Sequence, residues 1–311
     1  MEKKTEWQAE QLFLSSGPYI HLYSTPLETA LLVENDDDRT VLLNMIALNA
    51  YERGVEVLAY AIMSNHIHLM LRGTSMQGLE FFEVMAKRYL RYLSAREKPK
   101  FKFTCGVTTI ADLRQFRTTV AYIVRNPYVV RDDIHIFAYL WCSGYLYFNP
   151  MLDQITGESA DKVSYRLRRM ITRASDVVIP ASFRVNGHLI LPDSFVSYAL
   201  VEALFGNAKR YLFWVMKNVE AQVEMALSYG EMPHCSDDEL FVLSRRLCEK
   251  RYAVSSPEDL PDKQKKELAI ALRNLYHATN SQLARLTTLD LAEIHILFPS
   301  AKTDSNAPGK G

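Results

Sequence analysis

The chain reads as an α+β protein: an antiparallel sheet of the split βαβ type with helices on one face, followed by an all-helical C-terminal part. Three observations predict this. Over residues 15–150, short apolar runs and longer 3.6-periodic stretches follow one another as strand, helix, strand, strand, helix, strand, helix. Two of the strand runs are joined by a two-residue polar corner, as in a hairpin. After about residue 150 strand-like runs become sparse, and helical periodicity dominates from Phe195 onward.

Taken in order, residues 1–16 read as a polar lead-in and Tyr19 to Tyr23 as the first strand. Asp36-Asp37-Asp38 then opens a helix that carries Val41, Leu42, Met45 and Ile46 and ends at Gly54. Val55 to Met63 and His66 to Arg72 read as the hairpin strands, with Ser64-Asn65 between them. A second helix is expected over about 76–97, a fourth strand over 101–107, and a third helix over 111–125, stopped by Asn126-Pro127. This order is the ferredoxin-like one, and it leaves one sheet face free for a site. Residues 151–235 read as an irregular connector and a helical region. Residues 236–299 read as helical with a possible helix-turn-helix, and 300–311 as a disordered tail.

Composition narrows the function. Of 311 residues, 48% are hydrophobic, so a sizeable core is possible. Lys plus Arg equals Asp plus Glu at 36 each, which argues against non-specific coating of nucleic acid but leaves room for local basic patches. The four cysteines are scattered without a CxxC pair, so neither a zinc knuckle nor a disulfide framework is indicated. With a polar N-terminus and no apolar run long enough to span a membrane, the expected setting is a reducing cytoplasm.

Three groups of residues carry chemistry. His66 and His68 are two apart on a strand, so they share a face and make a ready pair of metal ligands; alone, such a pair also has an ordinary structural reading. On the third helix Leu113, Phe116, Val120 and Ile123 form an apolar stripe. Tyr122 and Asn126 sit opposite it as i, i+4 neighbours. Lys87, Arg88, Arg91 and Arg96 interleave with Tyr89 and Tyr92 on the second helix, and Arg166 and Arg169 lie in a second basic stretch from Lys162 to Arg173. Cations beside aromatic rings suit a single-stranded nucleic acid, and they equally suit a solvated helix face.

The run Tyr60 to Leu71, with its Asn65-His66-Ile67-His68 centre, is followed some fifty residues on by Tyr122-Ile123-Val124-Arg125-Asn126-Pro127. Together they resemble the single-tyrosine HUH transposases, closest to the REP-associated tyrosine transposase branch. The Trp141-Cys142-Ser143-Gly144-Tyr145 run resembles that family's Trp-Ser-Ser-Tyr segment. Ser64 stands where many members have Pro, and Arg125 where relatives are often apolar. The resemblance implies that His66, His68 and Asn126 hold a divalent metal ion, Mg2+ or Mn2+. It implies that Tyr122 is the nucleophile on single-stranded or hairpin DNA, forming a 5′-phosphotyrosine that a 3′-hydroxyl can reverse. Hairpin-forming repeats as targets come from the resemblance alone. Lys87, Arg88, Arg91, Arg96, Arg166 and Arg169 are the candidate DNA contacts.

Two other readings stay open: a catalytically silent DNA-binding regulator with the same fold, and a metal-dependent phosphoesterase using water. In the C-terminal region, Ser281 to Leu286 resembles the first helix of a helix-turn-helix. The segment from Asp290 to Leu297 is too apolar and acidic for an ordinary reader of bases, so DNA contact and simple packing both remain open there.

Overall fold

The computed structural model describes residues 2–25, 27, 31–98, 101–130, 139–173, 177–216, 237–276 and 278–299. The expected tail at 300–311, and the part of the expected helical region at 217–236, lie outside them. The chain divides into two compact units, residues 1–225 and 226–311.

In the first unit the elements are β1 (Tyr19–Ser24), α2 (Asp36–Arg53), β2 (Glu56–Ile62), β3 (Ile67–Arg72), α3 (Ser75–Ser94) and β4 (Cys105–Thr109), preceded by α1 (Glu2–Ser16) and followed by α4 (Leu113–Val130). Strand order is β2-β3-β1-β4, every pair antiparallel. The helix ends obey local chemistry. Asn35 caps α2 by accepting from Asp38 N at 3.0 Å, and Gly54 closes it in the left-handed region at φ 64°. Thr74 and Gln77 form a capping box at the start of α3.

The two crossover helices share a face, as the split βαβ pattern requires. Ile20, Leu22, Leu69 and Leu71 of the sheet pack there with Val41, Leu42, Phe81 and Met85. The expectation that the other face is bare of helices fails. Tyr19, Leu58, Ala59 and Met70 on that face pack against Phe116, Val120, Ile123 and Val124 of α4. The signal was in β2, where Val57 to Met63 is an unbroken apolar run rather than an alternation, as a strand buried on both faces requires.

Other expectations are also corrected. Residues Glu2–Ser16 of the expected polar lead-in form α1, whose Ala9 and Phe13 are buried one turn apart. Arg117 of α4 grips this helix, donating to both carboxylate oxygens of Glu6 and to the Leu204 carbonyl. The α4 helix does not stop at Asn126 but runs through Pro127 to Val130. Proline at this position removes the donor to the Ile123 carbonyl, and Cys142 Sγ lies 4.0 Å from that oxygen and 3.6 Å from the Val124 oxygen. Residues 151–194 are not an irregular connector, nor is the remainder all-helical. A small antiparallel sheet, β5 (Glu158–Ser159), β6 (Arg184–Asn186) and β7 (Leu189–Ile190), stands there with α5 (Tyr165–Thr172). Its Phe183, Val185 and Ile190 pack on Ala47 and Leu48 of α2. Two short helices, α6 (Tyr198–Phe205) and α7 (Ala208–Val215), complete the described part of this unit.

The second unit is helical: α8 (Asp237–Tyr252), α9 (Asp262–Tyr276), α10 (Asn280–Thr287) and α11 (Leu291–Leu297) around a core that includes Leu268, Leu272, Leu283 and Ile294. Thr279 caps α10, its side chain accepting from Gln282 N. Exposed Ile296 and an ion pair from Glu293 to Lys266 characterise α11. Among the described residues no helix is long and apolar enough to cross a membrane.

Candidate functional site

The antiparallel register sets the site. Tyr23 of β1 faces His68 of β3, and His21 faces Met70, so the side chains of His21, Tyr23 and His68 emerge on the α4 side of the sheet. His66 lies just before β3, where the Ser64-Asn65 turn is clamped from outside. Leu32 N and Val33 N donate to Ser64 O, Leu27 N donates to Asn65 O, and Ile67 N donates to Ser24 Oγ. Gly106 on β4 makes room for the Tyr23 ring, because a Cβ there would fall 2.5 Å from it.

Five rings meet on this face, those of His21, Tyr23, His66, His68 and Tyr122. The His66 and His68 centroids are 4.8 Å apart with their planes perpendicular, and the Tyr122 ring of α4 stands edge-on 5.2 Å from His68. His21 lies 5.4 Å from His68 and 6.1 Å from Tyr122. The sequence motifs, through the resemblance they carry, predict the convergence of His66, His68 and Tyr122; His21 belongs to the first-strand run and to no motif.

The electrostatics suit metal ligation. Both His66 and His68 are buried. Burial pushes His21 down to about 3, and pushes His68 well below the ordinary histidine value with His66 and His21 adding to the shift. His21 and His68 are therefore neutral at physiological pH, the form in which an imidazole binds a metal. Asn65 Nδ2 donates to Leu27 O, which turns its Oδ1 toward His66 Nδ1 at 2.7 Å. His66 Nδ1 must then carry a proton and donate it to Asn65 Oδ1. His68 Nε2 is buried and makes no hydrogen bond among the described residues. Such an atom is costly unless something else occupies its lone pair, and a divalent cation fits.

Asn126 is half-buried one turn beyond Tyr122, with Nδ2 donating to the Tyr122 carbonyl at 3.3 Å. That bond leaves its amide oxygen as the atom available to a cation. Among the described residues no group of three or more His, Cys, Asp or Glu is placed to hold a metal ion. Arg125 is buried. The Trp141–Tyr145 run closes the edge of β2: Ile62 N donates to Trp141 O and Tyr60 N to Ser143 Oγ.

Tyr89 and Tyr92, the other tyrosines that follow the histidines on a helix, lie on the other face of the sheet. Tyr89 is fully buried and donates to Leu32 O at 2.7 Å, and burial raises its pKa strongly; Tyr92 donates to Asp38 Oδ1 at 2.9 Å.

On that face also lies an open groove of about 910 Å³. Lys87, Arg88, Arg91 and Arg96 line it, and so does Arg173 from the end of α5. The two basic stretches of the sequence thus meet. Arg96 and Arg173 sit 5.4 and 5.6 Å from the same Tyr92 ring. Arg166 and Arg169 are exposed on α5 and do not line the groove. Lys87, Arg88 and Arg96 are engaged by Glu83, Glu52 and Asp38, whereas Arg91 and Arg173 have no ion pair among the described residues.

No protein-family model matches the chain, and no curated protein matches it. Among solved structures it is similar to a REP-associated tyrosine transposase bound to a REP hairpin, at 14% identity and a TM-score of 0.35, over 46% of this chain and 87% of that one. The likeness is distant.

Proposed function

We propose that the chain is a metal-dependent single-strand DNA endonuclease and strand transferase, a transposase of the single-tyrosine HUH kind. The observation that carries this reading is the meeting of His66, His68 and Tyr122 on one sheet face, with a buried His68 Nε2 left without a hydrogen bond.

His66 Nε2, His68 Nε2 and the Asn126 amide oxygen would hold one Mg2+ or Mn2+ ion, which when bound polarises the non-bridging oxygens of the scissile phosphate. With no carboxylate in the ligand set, the charge of the ion is left for the phosphate. The Tyr122 oxygen attacks phosphorus, the bond to the 3′ oxygen breaks, and the phenol proton is balanced by protonation of the released 3′-hydroxyl. The covalent 5′-phosphotyrosine conserves the bond energy, so a 3′-hydroxyl can reverse the step and join strands. Half-burial of Tyr122 against the α4 core fixes the direction of its ring before substrate arrives.

The groove with Lys87, Arg88, Arg91, Arg96 and Arg173 is proposed to take the DNA backbone away from the cut, and Arg166 and Arg169 to add diffuse positive charge beside it. Single-stranded or hairpin DNA is the proposed partner. The test is incubation of the full chain with labelled hairpin oligonucleotides and Mn2+. A covalent protein–DNA band on a denaturing gel is expected. DNA retention without any such band would favour the silent regulator, and release of products without an adduct would favour a water-using phosphoesterase.

A further inference from the structure

We propose that His21 is a positioning residue of the metal site, one that holds His68 in the tautomer whose Nε2 is a lone pair; the proposal rests on the metal-dependent reading above. His21 Nε2 and His68 Nδ1 are 3.2 Å apart between two fully or nearly fully buried rings. At that separation the two neutral imidazoles share a single proton, and only two arrangements exist. If His21 Nε2 is the donor, His68 carries its proton on Nε2, where no acceptor lies among the described residues. That nitrogen could then bind no cation. If His68 Nδ1 is the donor, the proton of His21 sits on its own Nδ1. Each arrangement thus places one buried proton, on His68 Nε2 or on His21 Nδ1, and it is metal binding that selects the second, because only there is His68 Nε2 a lone pair.

The second arrangement makes the two candidate ligands alike. Asn65 Oδ1 accepts from His66 Nδ1, and His21 Nε2 accepts from His68 Nδ1. In both, an acceptor on Nδ1 fixes the ring and makes Nε2 the nitrogen left for a ligand. A metal-bound histidine ordinarily has such an outer partner, and losing it costs about 10–100-fold in metal affinity or activity. The histidine partner comes from an adjacent strand, 47 positions away in sequence. Its backbone is pinned by ladders to both β3 and β4, so it is rigid, as orientation of a ligand demands.

The test uses metal binding and the proton itself. Mn2+ affinity of the full chain is measured by electron paramagnetic resonance for wild type, His21→Phe, His21→Gln and the double variant His66→Ala/His68→Ala. Phe fills the space but accepts nothing; the Gln amide oxygen reaches the position of Nε2. The Phe variant is expected to bind Mn2+ about 10–100-fold more weakly, and the Gln variant within about threefold of wild type, well short of that loss. Independently, nitrogen-15 spectra of metal-free wild type should show His68 protonated on Nδ1. Wild-type affinity in the Phe variant, equal loss in the Phe and Gln variants, or a proton on His68 Nε2 would each overturn the assignment. Wild-type Mn2+ binding by the His66/His68 double variant would instead overturn the metal site itself. The nitrogen-15 measurement needs no variant, so it decides even where the Phe substitution does not fold.

Discussion

Replacing Tyr122 with Phe and, separately, Tyr89 with Phe should dissociate chemistry from stability in opposite directions. Tyr122→Phe removes one hydroxyl from a half-buried ring whose packing against α4 and the sheet persists. Loss of one hydroxyl of this kind costs about 0.5–1.5 kcal/mol at most. In a unit of this size that amounts to roughly 2–4 °C in Tm per kcal/mol. The covalent adduct, however, should vanish entirely, because the proposed phosphotyrosine forms on the Tyr122 oxygen. Tyr89→Phe does the reverse. Its hydroxyl is fully buried and donates to the Leu32 carbonyl at 2.7 Å. Removing it strands a buried acceptor at a cost of about 1–3 kcal/mol, so Tm should fall by several degrees while the adduct persists. Tyr92→Phe should also keep the adduct. The assay is a denaturing gel with end-labelled hairpin oligonucleotide and Mn2+, followed by mass spectrometry of the trapped nucleotide-bearing peptide, with thermal melts on the same preparations. A covalent band from Tyr122→Phe, or a nucleotide on the peptide containing Tyr89 or Tyr92, refutes the assignment.

Three further outcomes are expected. Mn2+ at about a hundred times its Kd should stabilise the wild type by about 2.7 kcal/mol and leave His66→Ala/His68→Ala unmoved in a thermal melt; equal shifts in both would place the ion elsewhere. Replacing Arg91 and Arg173 together by Ala should lower the salt dependence of single-strand binding by about 1.4 in the log–log slope, about 0.7 for each phosphate no longer neutralised, with the sequence preference unchanged; an unaltered slope removes the groove from the DNA path. Glu6, whose carboxyl the Arg117 guanidinium holds below the usual carboxylate range, contributes stability that is present above that range and lost as pH falls through its folded value. Glu6→Gln should therefore be less stable at pH 7 by about 1–2 kcal/mol, discounted for the partial exposure of Glu6, and the difference should close toward pH 3; a gap independent of pH would mean that packing, not charge, anchors α1.

Local order was legible because its signals are local. The β2–β3 hairpin could be read from two apolar runs and a Ser64-Asn65 corner, and the His66/His68 pair from the two-residue period of a strand. The stripe of Phe116, Val120 and Ile123 marked α4 and put Tyr122 on a different side of it. What a local pattern cannot encode is which distant group answers which. The proton partner of His68 lies on another strand, the cation beside Tyr92 comes from α5, and α1 looked like a polar lead-in until Arg117 gave Glu6 a partner. Pro127 stops an isolated helix, yet here α4 continues, with Cys142 Sγ beside the carbonyls next to the break. The covered second face of the sheet follows the same rule. Its apolar residues were visible in β2, but only the packed chain decides that α4 buries them, because burial depends on which surfaces meet rather than on which residues follow one another.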